Sequence, residues 1–195
     1  MNQYTEEYYI DKAVHGDTRA FGVLVEKYQD YIFTIVYRML KVREEAEEVA
    51  QDAFLKAFEA LPGFRGESKF SSWLYRIAYR KALDRIRKNS RHTSLELIEE
   101  ITADDATKLE SGLEVMLEQE RSEIIQKCLL KLPEQDAAIV TLYYFEEQPV
   151  KEIAGITGLT EDNVKVKLYR SRKALFSLLK KYMLKEIPEK NGKSI

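Results

Sequence analysis

The chain contains few of the residues that interrupt helices or cross-link segments. Among its 195 residues are one Cys, four Pro, eight Gly and two His. One Cys excludes an internal disulfide and a thiolate-rich metal site, which is the usage expected of a reducing compartment. With only His15 and His92 to add, a zinc site lacks ligands, and we expect neither a metal nor a cofactor. The scarcity of Gly and Pro predicts helices almost throughout.

Long apolar runs are also missing. No window approaches the roughly 18 uncharged apolar residues of a membrane span. The N-terminal sequence MNQYTEEYYIDKAVHGD has neither the basic region nor the apolar run of a secretory signal. We therefore expect a soluble, cytoplasmic protein with no direct membrane insertion. Its hydrophobic content of 45%, with 12 Tyr and 8 Phe, is enough for a modest core in each half.

Charge is concentrated in three blocks, although the net charge is only −2. Residues 65–91 carry nine basic and two acidic side chains (+7), and residues 161–185 carry eight and two (+6). Between them, residues 93–123 carry ten acidic and two basic side chains (−8). Two basic blocks around an acidic one predict two anion-binding surfaces, with nucleic-acid backbone as the favoured ligand. The alternative is that the charged blocks are ordinary solvated surfaces with no ligand.

Apolar residues recur at three- and four-residue spacing along most of the chain, which indicates packed helices. The pattern and its cap signals predict helices over Thr5–Ala13, from Asp17 or Thr18 to Met39, over Arg43–Leu61, from Ser71 or Ser72 to Lys88, over Leu113–Leu132, from Pro133 to Glu146, and two more within 150–175. Thr93 to Gly112 is acidic and poorly periodic, as expected of a linker.

The predicted fold is therefore all-α, with two small helical bundles joined by an acidic linker. The segments are 1–92, the linker 93–112, 113–187 and a tail 188–195. Residues 150–175, VKEIAGITGLTEDNVKVKLYRSRKAL, predict a helix-turn-helix in the second bundle, since Gly158 can end one helix and Thr160 can N-cap the next.

The second helix of this motif has one packing face and one basic face. At about 100° per residue, Val164, Leu168 and Ser171 fall within one narrow sector. The opposite face and its flanks carry Asn163, Lys165, Val166, Lys167, Tyr169, Arg170, Arg172 and Lys173. A recognition helix in the major groove needs this division, because its first residues reach base edges and later cations pair with phosphates. An ordinary surface helix with solvated lysines is the alternative.

Two further surfaces lie in the first half. The loop FRGESKF and the helix that follows combine cations with aromatic rings, as grooves for single strands do. By periodicity alone, however, Phe70 and Trp73 are more typical of a core. On the helix before the loop, Glu48, Gln51 and Asp52 share one stripe. This acidic stripe is either solvated or meets a basic protein partner, and both readings stay open.

Four segments in this order resemble the conserved regions of the sigma-70 family. They are AEEVAQDAFLKAF (46–58), FRGESKFSSWLYRIAYRKALDRIRK (64–88), LPEQDAAIVTLYYFEE (132–147) and PVKEIAGITGLTEDNVKVKLYRSRKAL (149–175). The absence of a domain between the bundles indicates the compact extracytoplasmic-function (ECF) group. The resemblance covers about residues 17–182. It implies a non-catalytic subunit of bacterial RNA polymerase that directs transcription initiation at specific promoters.

The resemblance also implies roles for individual residues. Glu48, Gln51 and Asp52 would contact the clamp of the largest polymerase subunit, and the C-terminal bundle would also bind the flap. The minus-ten element would be read, and a flipped base captured, by residues within 64–88: Arg65, Lys69, Trp73, Arg76, Arg80 and Lys81. Many family members have Asn at the position of Arg80, which implies a phosphate contact or a changed base preference here.

The same resemblance assigns the second basic helix to the minus-thirty-five element, read as duplex DNA. The contacts would come from Asn163, Lys165, Val166, Lys167, Tyr169, Arg170 and Lys173. The acidic linker matches the segment that family members thread through the polymerase near the RNA exit path. An anti-sigma factor is the implied regulator.

Two other functions compete with this one. A conventional DNA-binding regulator, whose first half senses a ligand or dimerises, would protect a palindromic site without polymerase. It would leave the acidic stripe unexplained. A helical enzyme has little support, because the acids lie mostly in surface runs, the two His are far apart in sequence and no phosphate-binding Gly-rich loop is present.

Overall fold

A computed structural model describes residues 4–89 and 118–186, and all regular structure in these ranges is helical. The helices are α1 (Glu6–Val14), α2 (Thr18–Leu40), α3 (Arg43–Ala60), α4 (Phe70–Asn89), α5 (Glu118–Leu129), α6 (Glu134–Tyr144), α7 (Val150–Thr157) and α8 (Glu161–Glu186), with a 3-10 turn at Leu61–Gly63. The predicted all-α fold with two bundles is confirmed. The predicted linker 93–112 and tail 188–195 lie outside the described residues.

Local signals place several of these helix ends. Asp17 caps α2, since its carboxylate accepts hydrogen bonds from the backbone N–H groups of Arg19 (2.9 Å) and Ala20 (3.1 Å). Gly16 (φ 91°) and Gly158 (φ 75°) follow α1 and α7 in the left-handed conformation that glycine adopts without strain. Of the two residues predicted to begin α2, Asp17 is therefore the cap, and the predicted stop at Gly158 is confirmed.

The start of α4 differs from the prediction. The helix begins at Phe70, one or two residues before the predicted start at Ser71 or Ser72. Ser72 is completely buried, and its hydroxyl faces Gln148 Oε1 at 3.5 Å. The predicted start was therefore one or two residues late, because the contact of Ser72 with a distant segment is not visible in the local pattern.

The N-terminal bundle consists of α1 to α4 with α2 at its centre. Ile32, Ile35 and Val36 of α2 are completely buried, as the predicted stripe requires. Ala53 and Ala57 of α3 are also completely buried. Such small side chains let α2 and α4 approach α3 closely, which places the acidic stripe of α3 beside the basic helix α4.

The C-terminal bundle consists of α5 to α8, with the helix-turn-helix formed by α7 and α8. Residues 137–142 of α6 are all at most 1% exposed. A helix buried on all sides needs neighbours beyond its own small bundle. Accordingly, α6 packs against α8 of its own bundle and against α2 of the N-terminal bundle.

Cys128 of α5 is buried, and burial raises the pKa of its thiol to about 11, so it is unreactive at neutral pH.

The two bundles share a packed interface. α6 lies on α2 and α7 lies on α4, so that the buried residues of both halves form one apolar cluster. The sequence pattern predicts each bundle but not this contact. Within residues 4–89 and 118–186, no helix is long and apolar enough to cross a membrane.

Candidate nucleic-acid interface

The aromatic residues before and within α4 form a cluster. The ring of Trp73 lies 5.2 Å from that of Phe64 and 5.6 Å from that of Phe70, measured between centroids. Phe70 is only 3% exposed, whereas Trp73 is half-buried. Trp73 therefore packs on the core with one part of its ring and leaves another part at the surface. Both predicted roles, core packing and base stacking, are compatible with this position.

The predicted minus-ten cations divide into exposed and covered ones. Arg65, Lys69 and Arg80 are exposed. Arg76 lies under α7, where a Cβ on Gly155 would come within 3.4 Å of Arg76 Nη2. Its Nε is buried without a hydrogen-bond partner among the described residues. The accessible basic surface of this region is thus the loop together with the face of α4 around Arg80.

The acidic stripe of α3 faces α4 directly. Glu48 forms an ion pair with Arg85 at 2.7 Å, and Asp52 lies 4.0 Å from Lys81. The hydrogen bond from Arg85 lowers the pKa of the Glu48 carboxyl. Gln51 is exposed. The structure thus places the predicted polymerase-docking stripe next to one predicted minus-ten residue, Lys81, with its two carboxylates turned toward cations of α4.

An apolar groove adjoins the stripe, and sequence reasoning missed it. It has a volume of about 430 Å³ and is lined by Thr18, Phe21, Val25, Gln51, Phe54, Leu55 and Phe58 of α2 and α3. Leu55 is 65% exposed. The sequence did contain a signal for the groove. Leu55 lies outside the apolar stripe of α3, so its side chain cannot be buried in the core of the bundle and remains at the surface.

The recognition helix α8 has the two predicted faces. Thr160 caps it, accepting a hydrogen bond from the backbone N–H of Asn163 at 3.3 Å. Val164 and Ser171 are completely buried. Exposed on the other side are Asn163, Lys165, Val166, Tyr169 and Arg170. The packing of α8 against α6 and α7 thus presents the predicted DNA-facing side chains to solvent.

Two cations predicted at this interface have neighbours within the bundle. Lys167 forms an ion pair with Asp136 of α6 at 2.6 Å, and the side chain of Asp136 is only 5% exposed. Lys173 lies over the ring of Tyr169, 5.0 Å from its centroid. The buried carboxylate thus draws Lys167 toward α6, at the edge of the exposed face rather than at its centre.

Comparison with known proteins identifies the family to which both halves of the chain belong. The family model for sigma-70 region 2 matches residues 24–92, and the model for sigma-70 region 4 matches residues 122–175. The ECF RNA polymerase sigma factor SigW of Bacillus subtilis is 34% identical over 174 residues, covering 85% of this chain and 92% of the relative. The chain belongs to the ECF group of the sigma-70 family. Its predicted character as a sigma factor without enzymatic activity is thereby confirmed.

Two more relatives support the assignment of this sigma factor, and two solved structures share its fold. The RNA polymerase sigma-H factor of Pseudomonas aeruginosa is 33% identical (90% of this chain, 94% of the relative). The ECF RNA polymerase sigma-E factor of Escherichia coli K12 is 31% identical (89% and 93%). Among solved structures, RpoE of Bartonella quintana bound to the anti-sigma factor NepR superposes with a TM-score of 0.61 at 18% identity (82% and 96%). CnrH bound to the cytosolic domain of CnrY gives 0.58 at 22% (89% and 96%).

We expect Arg170→Ala in this sigma factor to weaken promoter binding by the holoenzyme severalfold on all promoters alike. Arg170 is exposed in the third turn of α8, beyond the turns that usually reach base edges, so we expect it to contact a phosphate. Binding should be titrated at several salt concentrations, and the salt slope should fall by about 1. Lys127→Ala is the matched control, because it removes one exposed cation from α5 of the same bundle, outside the basic face of α8. A loss confined to one base position would indicate base readout instead.

Proposed function

We propose that this sigma factor divides promoter recognition between its two bundles. The N-terminal bundle, residues 1–92, docks on core RNA polymerase and engages the minus-ten element, and the C-terminal bundle, residues 113–187, reads the minus-thirty-five duplex. The observation that carries this proposal is the exposed basic face of α8, which lies opposite its buried face in a helix-turn-helix. A second exposed basic surface, on α4 and its loop, gives the other bundle its own DNA contact.

For the docking on polymerase, we propose that the acidic stripe and the apolar groove act together. Gln51 belongs to both, and Leu55 stands exposed beside them. The partner that fits this combination is a basic helical surface with protruding apolar side chains, because opposite charges orient the encounter and the groove excludes water; we propose that the polymerase clamp supplies it. Glu48 and Asp52 keep their ion pairs with α4 at the rim of the contact.

At the minus-ten element, we propose that Arg65, Lys69 and Arg80 hold the backbone of the melted strand while the exposed part of Trp73 stacks on a base. The three cations are accessible and the ring is fixed by its aromatic neighbours. Many family members have Asn at the position of Arg80, and a phosphate contact there would explain why this chain has a cation instead. Cations with an aromatic platform are the usual means of holding single strands.

We further propose that an anti-sigma factor controls this protein and that it works in the cytoplasm. Two structural neighbours were solved as complexes of this kind, CnrH with the cytosolic domain of CnrY and RpoE with the anti-sigma factor NepR. The cytoplasm is where bacterial core polymerase meets promoter DNA.

Run-off transcription with purified core polymerase on genomic fragments, followed by mapping of start sites, tests the function. We expect promoter-specific transcripts that require both proteins, and only weak, salt-sensitive DNA binding by the isolated sigma factor. Protection of a palindromic site without polymerase would favour the DNA-binding regulator. Failure to stimulate transcription on any fragment would overturn the proposal.

A further inference from the structure

Two lysines of α8 form ion pairs with carboxylates, and the two pairs differ in their exposure to water. Lys165 Nζ lies 3.2 Å from Asp162 Oδ1 on the same helix, and these side chains are 60% and 90% exposed. Lys167 Nζ lies 2.6 Å from Asp136 Oδ1 of α6, and these side chains are only 30% and 5% exposed. The first pair is therefore a surface contact, whereas the second has its carboxylate inside the bundle.

Asp136 occupies a position that suits a negative charge only while the charge is paired. It lies in the first turn of α6, where the N-terminus of a helix stabilises an anion. The residues that follow it, 137–142, are all at most 1% exposed, so water has little access to the carboxylate. The ammonium group of Lys167 donates a hydrogen bond to it and supplies the counter-charge. Loss of this partner would leave an unpaired buried charge, which is strongly unfavourable.

The place of Lys167 on α8 would otherwise allow a contact with DNA. At about 100° per residue, Lys167 lies about 40° from Asn163 and about 60° from Arg170 around the helix axis. Both of these neighbours are exposed. A lysine released from its ion pair could therefore reach the phosphates that we expect Arg170 to contact. The partner of Lys167, rather than its place on the helix, keeps its ammonium group away from the DNA backbone.

A DNA phosphate competes unequally for the two lysines. Lys165 can leave Asp162 when DNA approaches, because water solvates the exposed carboxylate that remains. Lys167 cannot leave Asp136 in the same way, since the carboxylate that remains is buried. Breaking a buried pair costs more than an exposed charge contact returns. Lys165 is thus available to the DNA backbone, and Lys167 is not.

We propose that Asp136 is a positioning residue that keeps Lys167 off promoter DNA and so limits the sequence-independent affinity of α8. The inference rests on the proposed reading of the minus-thirty-five duplex by α8, and it changes the predicted role of Lys167 from a DNA contact to a neutralised cation. Each cation that contacts phosphate strengthens binding to every DNA sequence alike. Removing one such contact keeps non-specific binding weak, which favours selection of promoters by the holoenzyme.

Salt titrations of holoenzyme binding to a promoter duplex and to a duplex of unrelated sequence test this role. We expect Asp136→Asn to bind both duplexes severalfold more tightly at about 50 mM salt, with a slope of log K against log salt that is steeper by about 0.9, the value for one added phosphate contact. The gain should shrink about 3.5-fold between about 50 and 200 mM salt. Adding Lys167→Gln to Asp136→Asn should restore the wild-type slope, because the released cation is then absent.

Glu123→Gln is the matched control. Glu123 also faces a lysine of its own bundle, Lys127 at 4.0 Å, but both are exposed on α5, outside the basic face of α8. The net charge changes equally, and the wild-type slope is expected. Circular dichroism shows whether Asp136→Asn is folded. If it is not, Asp136→Ala is the second variant, because it adds no unpaired polar group to the buried position.

The slopes separate this inference from the function on which it rests. A role of Asp136 in folding alone would not make the slope steeper. If the folded Asp136 variants keep the wild-type slope while Arg170→Ala makes it shallower, the inference fails and the proposed function stands. If Arg170→Ala also leaves the slope unchanged, α8 does not hold the duplex and both fail. A steep slope that persists without Lys167, or that appears in Glu123→Gln as well, would indicate a general effect of charge and overturn the inference.

Discussion

Reversing the charge of the acidic stripe with Glu48→Lys and Asp52→Lys together is expected to lower promoter-directed transcription by at least about tenfold. The stripe would then present cations to a basic clamp surface, and like charges across an interface oppose both encounter and docking. The measurement is run-off transcription at a fixed concentration of core polymerase, with the sigma factor titrated. Excess sigma factor should recover part of the activity, since the defect is in affinity.

The matched control for this variant is the pair Glu44→Lys and Glu59→Lys. Both positions are exposed on the same helix, at its two ends, and the net charge changes equally. The stripe variant also places cations against Arg85, whose side chain is only 18% exposed, and against Lys81. Melting temperatures of both pairs are therefore measured, and transcription is compared at a temperature where both are folded. Unchanged transcription by the stripe variant would support the DNA-binding regulator instead, and equal losses in both pairs would indicate a general effect of charge.

Local rules were sufficient for the helices and for the exposed basic face of α8. The cap at Asp17, the stop at Gly158 and the buried sector of α8 depend on residues within a few positions of each other, which a sequence pattern contains. The exposed positions of Lys165 and Arg170 follow from the same period. These elements were therefore predictable from the sequence.

Contacts between distant segments were not predictable in this way. Asp136 draws Lys167 toward α6 from 31 residues away, and Thr141 receives Arg38 from 103 residues away. Arg38 did give a signal, because it lies three residues after Ile35 on an otherwise apolar face. That signal indicates burial of a charged group but not its partner. The same limitation explains the error at the start of α4, where Ser72 packs against a distant turn.

Trp73 is the residue at which packing and DNA binding are hardest to separate, and two variants can separate them. Trp73→Ala removes a half-buried ring that contacts Phe64 and Phe70, so we expect the free energy of unfolding to fall by about 2–3 kcal/mol. The melting temperature should fall by about 4–12 °C. Trp73→Phe retains an aromatic ring in the cluster and should lose less than half as much. Circular dichroism measures both.

Transcription then tests base stacking, at a temperature where every variant is folded. We expect Trp73→Ala to lose at least about fivefold on a duplex promoter, because stacking of one base on an aromatic ring is worth about 1–3 kcal/mol. Trp73→Phe should keep most of the activity. Leu24→Ala is the control for stability, since Leu24 is 2% exposed in the same bundle and belongs to no predicted DNA contact. If Trp73→Ala and Leu24→Ala transcribe equally well when folded, Trp73 serves the fold alone, and the melted strand is held by the cations of the loop and of α4.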